Sequence, residues 1–367
     1  MRVVVAGGGT AGHVFPALAL GERLREEGHA VTFAGTARGP EARLAPAAGF
    51  RFRSVRAEPF RREISLRTAR APLVAAAEVA ACRPLVAGAD VAVGMGGYAS
   101  VPVVLAALSA RVPVVLHEQN AVPGLANRAF ARWARRVGLG FAEAARSLPR
   151  RARAVVTGNP VRPAIVAVRA RRAELADEAR EALGLEGDRR TVLVAGGSQG
   201  ALRIDRAAAG AVRLLRHRAD LQLLVLTGPA HAGELAGARE EAGALAVRAV
   251  PFLERMELAY AAADLVVSRA GASTVAEVAV CGLPSILVPY PHATANHQEA
   301  NARALARAGG AVVLSDAELA PEVLAARVVE LVDDPDRMAA MGERAAAWGR
   351  PDAARALASL VVEGAGR

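Results

Sequence analysis

The chain has 367 residues, 53% hydrophobic and 22% charged, which excludes an intrinsically disordered protein and suits two domains of ordinary size. Two cysteines exclude a disulfide scaffold, and 4% aromatic residues argue against a surface that stacks nucleic-acid bases. The net charge is +10 and every basic residue is arginine. This charge suits phosphate-bearing ligands or an anionic membrane, although a biased genome composition also explains the choice of arginine over lysine.

Short apolar runs alternate with segments of helical period along the whole chain. Such runs joined by helices are typical of parallel strands covered on both faces, so we expect an α/β protein with two Rossmann-like parallel-sheet domains. The strands predicted in the first half are residues 2–6, 30–34, 51–55, 90–94, 112–116, 136–139 and 154–156. Those predicted in the second half are residues 191–195, 221–227, 246–250, 264–268, 285–288 and 311–314.

The segment 157–162 breaks this pattern with a glycine and an Asn-Pro pair. We therefore expect a first domain over residues 1–157, a second over 158–340 and a C-terminal helix within 341–367. The chain enters a strand at once, and no uncharged apolar run reaches the roughly 18–20 residues that span a bilayer. These features predict a cytoplasmic protein with no signal peptide and no membrane span.

A glycine-rich turn follows the first predicted strand. Gly7, Gly9 and Gly12 fit a weak dinucleotide-binding pattern, but the next strand ends without the acidic residue that would hold a ribose. Arg38 near that strand leaves an NADP-dependent oxidoreductase open. His13 lies at the mouth of the turn, where the dipole of the following helix favours neutral imidazole and hence a proton acceptor. The alternative is a histidine that only caps the turn.

Polar and glycine-rich segments also follow two later strands of the first half. Residues 94–98 form a second glycine turn, which suits either close ligand approach or tight packing. His117, Glu118, Gln119 and Asn120 follow the predicted strand 112–116. Since open α/β sheets bind ligands at the carboxyl edge of their strands, we expect at least one of these four to be functional.

Three segments of the second half carry similar signals. Ser198 lies in a glycine turn suited to a diphosphate. Further signals follow the predicted strand 264–268. Arg269 adds positive charge, and backbone amides at the start of a helix are offered by Ala272, Ser273 and Thr274. Glu277 suits either the binding of a ribose diol or, as an acidic residue, the first turn of a helix. The proline-rich loop 289–298 ends in Gln298, which suits a polyhydroxyl ligand or a helix cap. Asp334 and Asp336 match a metal-binding pattern, but we interpret them as a helix cap and expect no metal and no cofactor.

Together these motifs resemble the MurG-type N-acetylglucosaminyltransferases of bacterial peptidoglycan synthesis, in glycosyltransferase family 28. The likeness spans nearly the whole chain. It is carried, in the family's order, by residues 8–16, 94–98, 117–120, 158–162, 196–200 and 271–277. One departure is Ala11, where many members carry glycine.

The resemblance implies a GT-B fold with a central cleft and a C-terminal helix that crosses back to the first domain. It implies that UDP-N-acetylglucosamine donates its sugar, with inversion, to the C4 hydroxyl of lipid I, giving lipid II. The first domain would bind acceptor and membrane and the second the UDP-sugar, and His13 would be the base. Contacts to the sugar nucleotide would come from Thr10, Ala11, Gly12, Asn120, Arg162, Ser198, Leu253, Ala272, Ser273, Thr274, Val275, Ala276, Glu277 and Gln298.

The resemblance also implies a peripheral protein at the cytoplasmic face of the membrane, with cell-wall assembly proteins as further partners. Residues 60–85 resemble the family's docking region, where Arg61, Arg62, Arg67 and Arg70 cluster near Leu66, Leu73 and Val74. A solvated basic helix face is the alternative for this segment. Other open functions are a GT-B enzyme with a different acceptor, the NADP oxidoreductase, and a non-catalytic membrane adaptor.

Overall fold

The computed structural model describes residues 1–57, 66–197 and 200–366. These residues divide into two compact units, Met1–Arg162 with Pro351–Arg367, and Pro163–Arg350. The chain thus passes from the first unit to the second after Arg162 and returns at Pro351.

The first unit is built on a seven-stranded parallel sheet in the order β3-β2-β1-β4-β5-β6-β7. Its strands are β1 (Arg2–Ala6), β2 (Ala30–Gly35), β3 (Arg51–Ser54), β4 (Val91–Gly94), β5 (Val114–Glu118), β6 (Arg136–Leu139) and β7 (Ala154–Val156). Alternate residues of each strand face opposite sides. Val3 and Val5 enter one buried cluster, and Val4 and Ala6 enter another on the opposite face.

Helices cover both faces of this sheet. They are α1 (Ala11–Glu26), α2 (Glu41–Ala47), α3 (Leu66–Val86), α4 (Val101–Ser109), α5 (Leu125–Phe130) and, from the end of the chain, α15 (Ala353–Gly364). Leu357 and Val361 of α15 are fully buried beside Val3 and Val115. The last helix is therefore part of the core of the first unit.

The second unit holds a six-stranded parallel sheet in the order β10-β9-β8-β11-β12-β13. Its strands are β8 (Arg190–Ala195), β9 (Leu221–Leu226), β10 (Ala246–Val250), β11 (Leu265–Ser268), β12 (Ser285–Leu287) and β13 (Ala311–Val313). Its helices are α6 (Pro163–Val166), α7 (Arg172–Leu183), α8 (Leu202–Leu215), α9 (Ala236–Glu240), α10 (Met256–Ala262), α11 (Ala272–Cys281), α12 (His297–Arg307), α13 (Pro321–Val332) and α14 (Pro335–Trp348).

Every strand predicted from the sequence is present, so the prediction of two parallel-sheet α/β domains is confirmed. The largest difference is β5, which runs two residues further than predicted. His117 and Glu118 therefore lie within β5, whereas the sequence analysis expected them to follow the strand. The functional roles expected of residues 1–157, 158–340 and 341–367 stay predictions.

Candidate functional site

In the first sheet the strand order reverses between β1 and β4, which lie side by side although two strands separate them in the chain. Such a reversal opens a crevice at the carboxyl ends of the strands, where ligands of α/β proteins bind. Both glycine turns of this unit lie there. A Cβ atom built on Gly97 would lie 2.8 Å from the carbonyl oxygen of Gly8, so the two turns touch through their backbones. Only glycine permits this approach, and its φ of +74° is also one that L residues avoid.

His13 stands in the first turn of α1, above this contact. Its Nδ1 lies 2.8 Å from the hydroxyl oxygen of Thr10, the residue that begins the helix. Its ring also packs on Gly96, whose built Cβ atom would lie 3.4 Å from Cδ2 of His13. When Nδ1 carries the hydrogen and donates a hydrogen bond to the Thr10 hydroxyl, Nε2 is the ring nitrogen that can accept a proton. The side chain is only half buried, so a substrate hydroxyl has access to it.

Glu41 supports the same turn from beneath, a role that sequence reasoning missed. Its carboxylate is buried and accepts hydrogen bonds from the amide of Gly9, at 3.1 Å, and from the amide and hydroxyl of Thr36, at 2.8 and 2.9 Å. A Cβ atom on Gly8 would lie 2.1 Å from this carboxylate. The turn therefore keeps its shape because a buried acid occupies the space that a side chain on Gly8 would need.

Three of the four polar residues 117–120 are buried and serve one another. The Nε2–H of His117 donates to the carbonyl of Gly158 at 3.0 Å, and its Nδ1 accepts from Gln119 at 3.1 Å. Burial lowers the pKa of His117 to about 4, while the bond to Gly158 opposes that shift. His117 is therefore a neutral structural histidine across the physiological range.

Glu118 organises the loop that follows β5. Its carboxylate accepts from the amides of Asn120 and Gly124, at 2.9 and 3.0 Å, and from the side chain of Asn127 at 2.8 Å. Asn120 alone of the four is not buried. Hence Asn120 is the member of the group that a ligand can reach. Arg162, further along, lies with its guanidinium 4.7 Å from the ring centre of Phe15 on α1.

The second sheet repeats the arrangement, because its order reverses between β8 and β11. The glycine turn after β8 leads into α8, and a Cβ atom on Gly200 would lie 2.0 Å from the carbonyl oxygen of Thr227. Ser198, predicted to bind the diphosphate, lies outside the described residues. Beside the turn, Asp205 is fully buried and accepts from Nδ1 of His231 at 3.1 Å. Burial raises the pKa of Asp205 to about 6, although the charge of His231 lowers it.

After β11, Gly271 begins helix α11, which places Glu277 in its second turn. The carboxylate of Glu277 is 8% exposed and accepts from the hydroxyl of Tyr260 at 2.8 Å. Ser273 and Thr274 are half buried at the start of the helix. Ala272, Val275 and Ala276 are buried, so their expected contacts with a nucleotide stay predictions.

Arg269 is held by several partners within the second unit. Its guanidinium is buried and donates to Asp316 at 2.6 Å and to the carbonyls of Val288 and Pro289 at 3.3 Å. Asp316 also pairs with Arg203 at 3.1 Å, so two guanidinium groups share one carboxylate, and the contact of Arg269 with a diphosphate stays a prediction. Asn301, also missed, donates to the carbonyl of Ala270 at 3.2 Å and so ties α12 to this turn.

Two more predicted contacts, Leu253 and Gln298, follow strands of the second sheet. Leu253 is half buried between β10 and α10, and the ring of its neighbour Phe252 is 58% exposed. Gln298 is in the first turn of α12, and its Oε1 accepts from the amide of Tyr290 at 2.9 Å. That bond directs the side-chain amide of Gln298 and braces the proline-rich loop.

The pair Asp334 and Asp336 behaves as predicted. Asp334 precedes α14 and caps it, because its Oδ1 accepts from the amide of Arg337 at 2.9 Å, and Asp336 is an acidic residue in the first turn of that helix. Within the described ranges, no group of three or more His, Cys, Asp or Glu side chains is placed to hold a metal ion. Nor does any helix there have the length and apolar character needed to cross a membrane.

Two parallel-sheet units, each with glycine turns and polar side chains at the reversal of its strand order, have the architecture of the GT-B class of proteins. Residues 3–139 match the glycosyltransferase family 28 N-terminal domain and residues 191–357 its C-terminal domain. The chain belongs to glycosyltransferase family 28.

Relatives and a solved structure agree with this assignment. The UDP-N-acetylglucosamine–N-acetylmuramyl-(pentapeptide) pyrophosphoryl-undecaprenol N-acetylglucosamine transferases of Moorella thermoacetica and Halothermothrix orenii are 44% and 39% identical, each over 99% of both chains. The crystal structure of Acinetobacter baumannii MurG is 29% identical with a TM-score of 0.77, over 99% of each chain. The predictions of the family and of a glycosyltransferase are thus confirmed.

Proposed function

We propose that this enzyme moves N-acetylglucosamine from UDP-N-acetylglucosamine to the C4 hydroxyl of the muramyl sugar of lipid I, which gives lipid II. The observation that carries the proposal is similarity over 99% of the chain to transferases named for this reaction. The two sites described above supply what the reaction needs, namely a base in the first unit and a nucleotide-binding edge in the second.

His13 acts as the base. As the C4 oxygen of the acceptor attacks the anomeric carbon of the donor sugar, Nε2 of His13 takes the hydroxyl proton. The bond between that carbon and the UDP oxygen breaks, and attack from the opposite face inverts the configuration to β. UDP leaves with the bonding electrons. A positioned base of this kind contributes about 10²–10⁴-fold to the rate.

The nucleotide binds at the carboxyl edge of the second sheet. Glu277 accepts from the ribose hydroxyls, and the amides at the start of α11 favour the diphosphate, as helix N-termini do. Leu253 offers its backbone to the uracil, and Gln298 contacts the sugar hydroxyls. Ser198, Thr10, Gly12, Asn120 and Arg162 complete the proposed contacts, while Ala11 contributes backbone.

The enzyme works at an anionic membrane surface, on the cytoplasmic side. In the predicted docking region, residues 58–65 and the side chains of 66–75 lie outside the described structure. A second surface supports the proposal, and we call it the Trp133 patch. It consists of Leu125, Arg128, Arg132, Trp133 and Arg135, all exposed.

The composition of the Trp133 patch suits a membrane interface. Leu125 and Trp133 are 73% and 52% exposed, and the guanidinium of Arg132 lies 3.9 Å from the centre of the indole ring. Residues 124–136 contain no acidic side chain. Exposed tryptophan and leucine beside arginines insert among lipid headgroups that carry negative charge.

The reaction itself tests the proposal. The protein is incubated with UDP-N-acetylglucosamine and a short-chain lipid I analogue, without added metal, and UDP release and disaccharide product are followed together. We expect both in equal amounts, and His13→Ala should lower turnover by about 10²–10⁴-fold. Near-normal turnover by His13→Ala would remove that residue from the mechanism. Failure of the wild-type protein to form disaccharide would refute the acceptor, and failure to release UDP would refute the donor.

A further inference from the structure

Packing of the aromatic ring alone does not explain why residue 260 is a tyrosine. It lies in α10 with 2% of its surface exposed, and its hydroxyl donates to Oε2 of Glu277 on the neighbouring helix α11 at 2.8 Å. Phenylalanine would fill the same apolar space without the cost of burying a hydroxyl group. The hydroxyl therefore contributes through its bond to Glu277.

The bond determines how the Glu277 carboxylate is oriented. An O–H···O⁻ bond is about twice as strong as one between neutral groups, and it fixes both the side-chain rotamer and the plane of the carboxylate. A carboxylate has about four acceptor positions, so the bond from Tyr260 does not by itself fill them. Glu277 stands after β11, at the reversal of the strand order, where ligands bind.

We propose that Tyr260 is a positioning residue that holds Glu277 in the orientation that receives the ribose diol of the nucleotide, and so lets the enzyme select ribonucleotides over deoxyribonucleotides. The inference rests on the proposed function, in which Glu277 binds the ribose. Tyr260 does not touch the nucleotide. Its hydrogen bond restricts the Glu277 side chain before the nucleotide binds. Less conformational freedom is then lost on binding, and affinity for the nucleotide rises.

A preorganised acceptor also gives specificity. When a ligand lacks the hydroxyl that a buried carboxylate is oriented to receive, that acceptor loses its partner and affinity falls. If the carboxylate can rotate, the protein distinguishes ligands with and without that hydroxyl less well. The contribution of Tyr260 should consequently appear with UDP and disappear with 2′-deoxy-UDP.

The test measures the affinity of the full-length protein for UDP and 2′-deoxy-UDP by calorimetry, in wild type, Tyr260→Phe, Glu277→Ala and the double variant. We expect Tyr260→Phe to weaken UDP binding roughly ten-fold and 2′-deoxy-UDP binding less than two-fold. In the Glu277→Ala background the same substitution should have no further effect. With UDP-N-acetylglucosamine as substrate, Tyr260→Phe should raise KM more than it lowers kcat.

The outcomes separate this inference from the function on which it rests. If Tyr260→Phe weakened the binding of UDP and of 2′-deoxy-UDP equally, or weakened neither, Tyr260 would only pack α10 against α11. A wild-type protein that binds UDP and 2′-deoxy-UDP equally would remove Glu277 from the ribose site, and one that binds neither would refute the nucleotide donor. Thermal unfolding of each variant reports any loss of packing, and a Tyr260→Phe protein as stable as wild type makes the affinity comparison direct.

Discussion

The hydroxyl oxygen of Thr10 lies 2.8 Å from Nδ1 of His13, across the first turn of α1. This bond orients the imidazole, whose Cδ2 and Nε2 atoms lie beside Gly96 in the second glycine turn. We expect Thr10→Val, which keeps the shape and loses the hydroxyl, to lower kcat roughly ten-fold because the tautomer and orientation of the base are no longer set. Steady-state kinetics in the disaccharide assay measures the change.

Thr10→Ser is the matched control, since it keeps the hydroxyl and should retain most of the activity. In a His13→Ala background, Thr10→Val should have no further effect on kcat if it acts through the histidine. An equal loss with and without His13 would show that the hydroxyl acts independently of the histidine, through the proposed contact of Thr10 with the sugar nucleotide.

Glu118 holds the loop between β5 and α5 through amides of Asn120 and Gly124 and the side chain of Asn127. Replacing it by Gln puts an NH₂ group against donors that need an acceptor. We predict that Glu118→Gln lowers the free energy of unfolding by roughly 3 kcal/mol, measured by chemical denaturation. Glu26→Gln is the control, because that side chain is 61% exposed and its ion pair with Arg23 should contribute under 1 kcal/mol. A similar loss in both variants would contradict the role of Glu118.

The sequence predicted the strands and the glycine turns because those signals are local. Apolar runs of four to seven residues, interrupted by glycine or proline, report a buried parallel strand without knowledge of its neighbours. The glycine turn after β1 is likewise recognisable from consecutive residues, and the sheet order then places it beside the turn after β4.

The partners of polar side chains could not be predicted in this way. Arg269 and Asp316 are 47 residues apart, and Gly9 and Glu41 are 32 apart. Whether a carboxylate binds a ligand, an arginine or a loop amide depends on which elements pack together. This is why the sequence could not show that Arg269 pairs with Asp316, and why it missed Glu41 and Tyr260.

Asp205 makes stability depend on pH in an unusual direction. Its folded-state pKa is raised from 3.8 to about 6 by burial, so the folded protein prefers the protonated acid and loses stability as pH rises through that interval. The charged groups near it are His231, which lowers its pKa, and Glu234, which raises it and is itself paired with Arg206 at 3.3 Å. We predict that Asp205→Asn is more stable than wild type at pH 7.5, by up to about 3 kcal/mol.

That advantage should shrink as the pH falls and vanish near pH 4, where wild-type Asp205 is protonated as well. Thermal unfolding between pH 4 and pH 8 measures it, with Asp188→Asn, at an exposed position, as the control. If Asp205→Asn were less stable than wild type at pH 7.5, the attraction between Asp205 and His231 would outweigh the cost of burying the charge.

The Trp133 patch makes a prediction about membrane binding. Replacing Leu125 and Trp133, which are 73% and 52% exposed, by Ser should change the stability of the fold little while binding to vesicles of anionic phospholipid falls several-fold. Replacing Arg128 and Arg132 by Gln should weaken binding at low salt and matter less at high salt, because the attraction is electrostatic. Sedimentation with vesicles of anionic or zwitterionic lipid measures both effects. Leu214→Ser provides the control, since Leu214 is 43% exposed in the second unit, and an equal loss in that variant would show that the Trp133 patch has no special role.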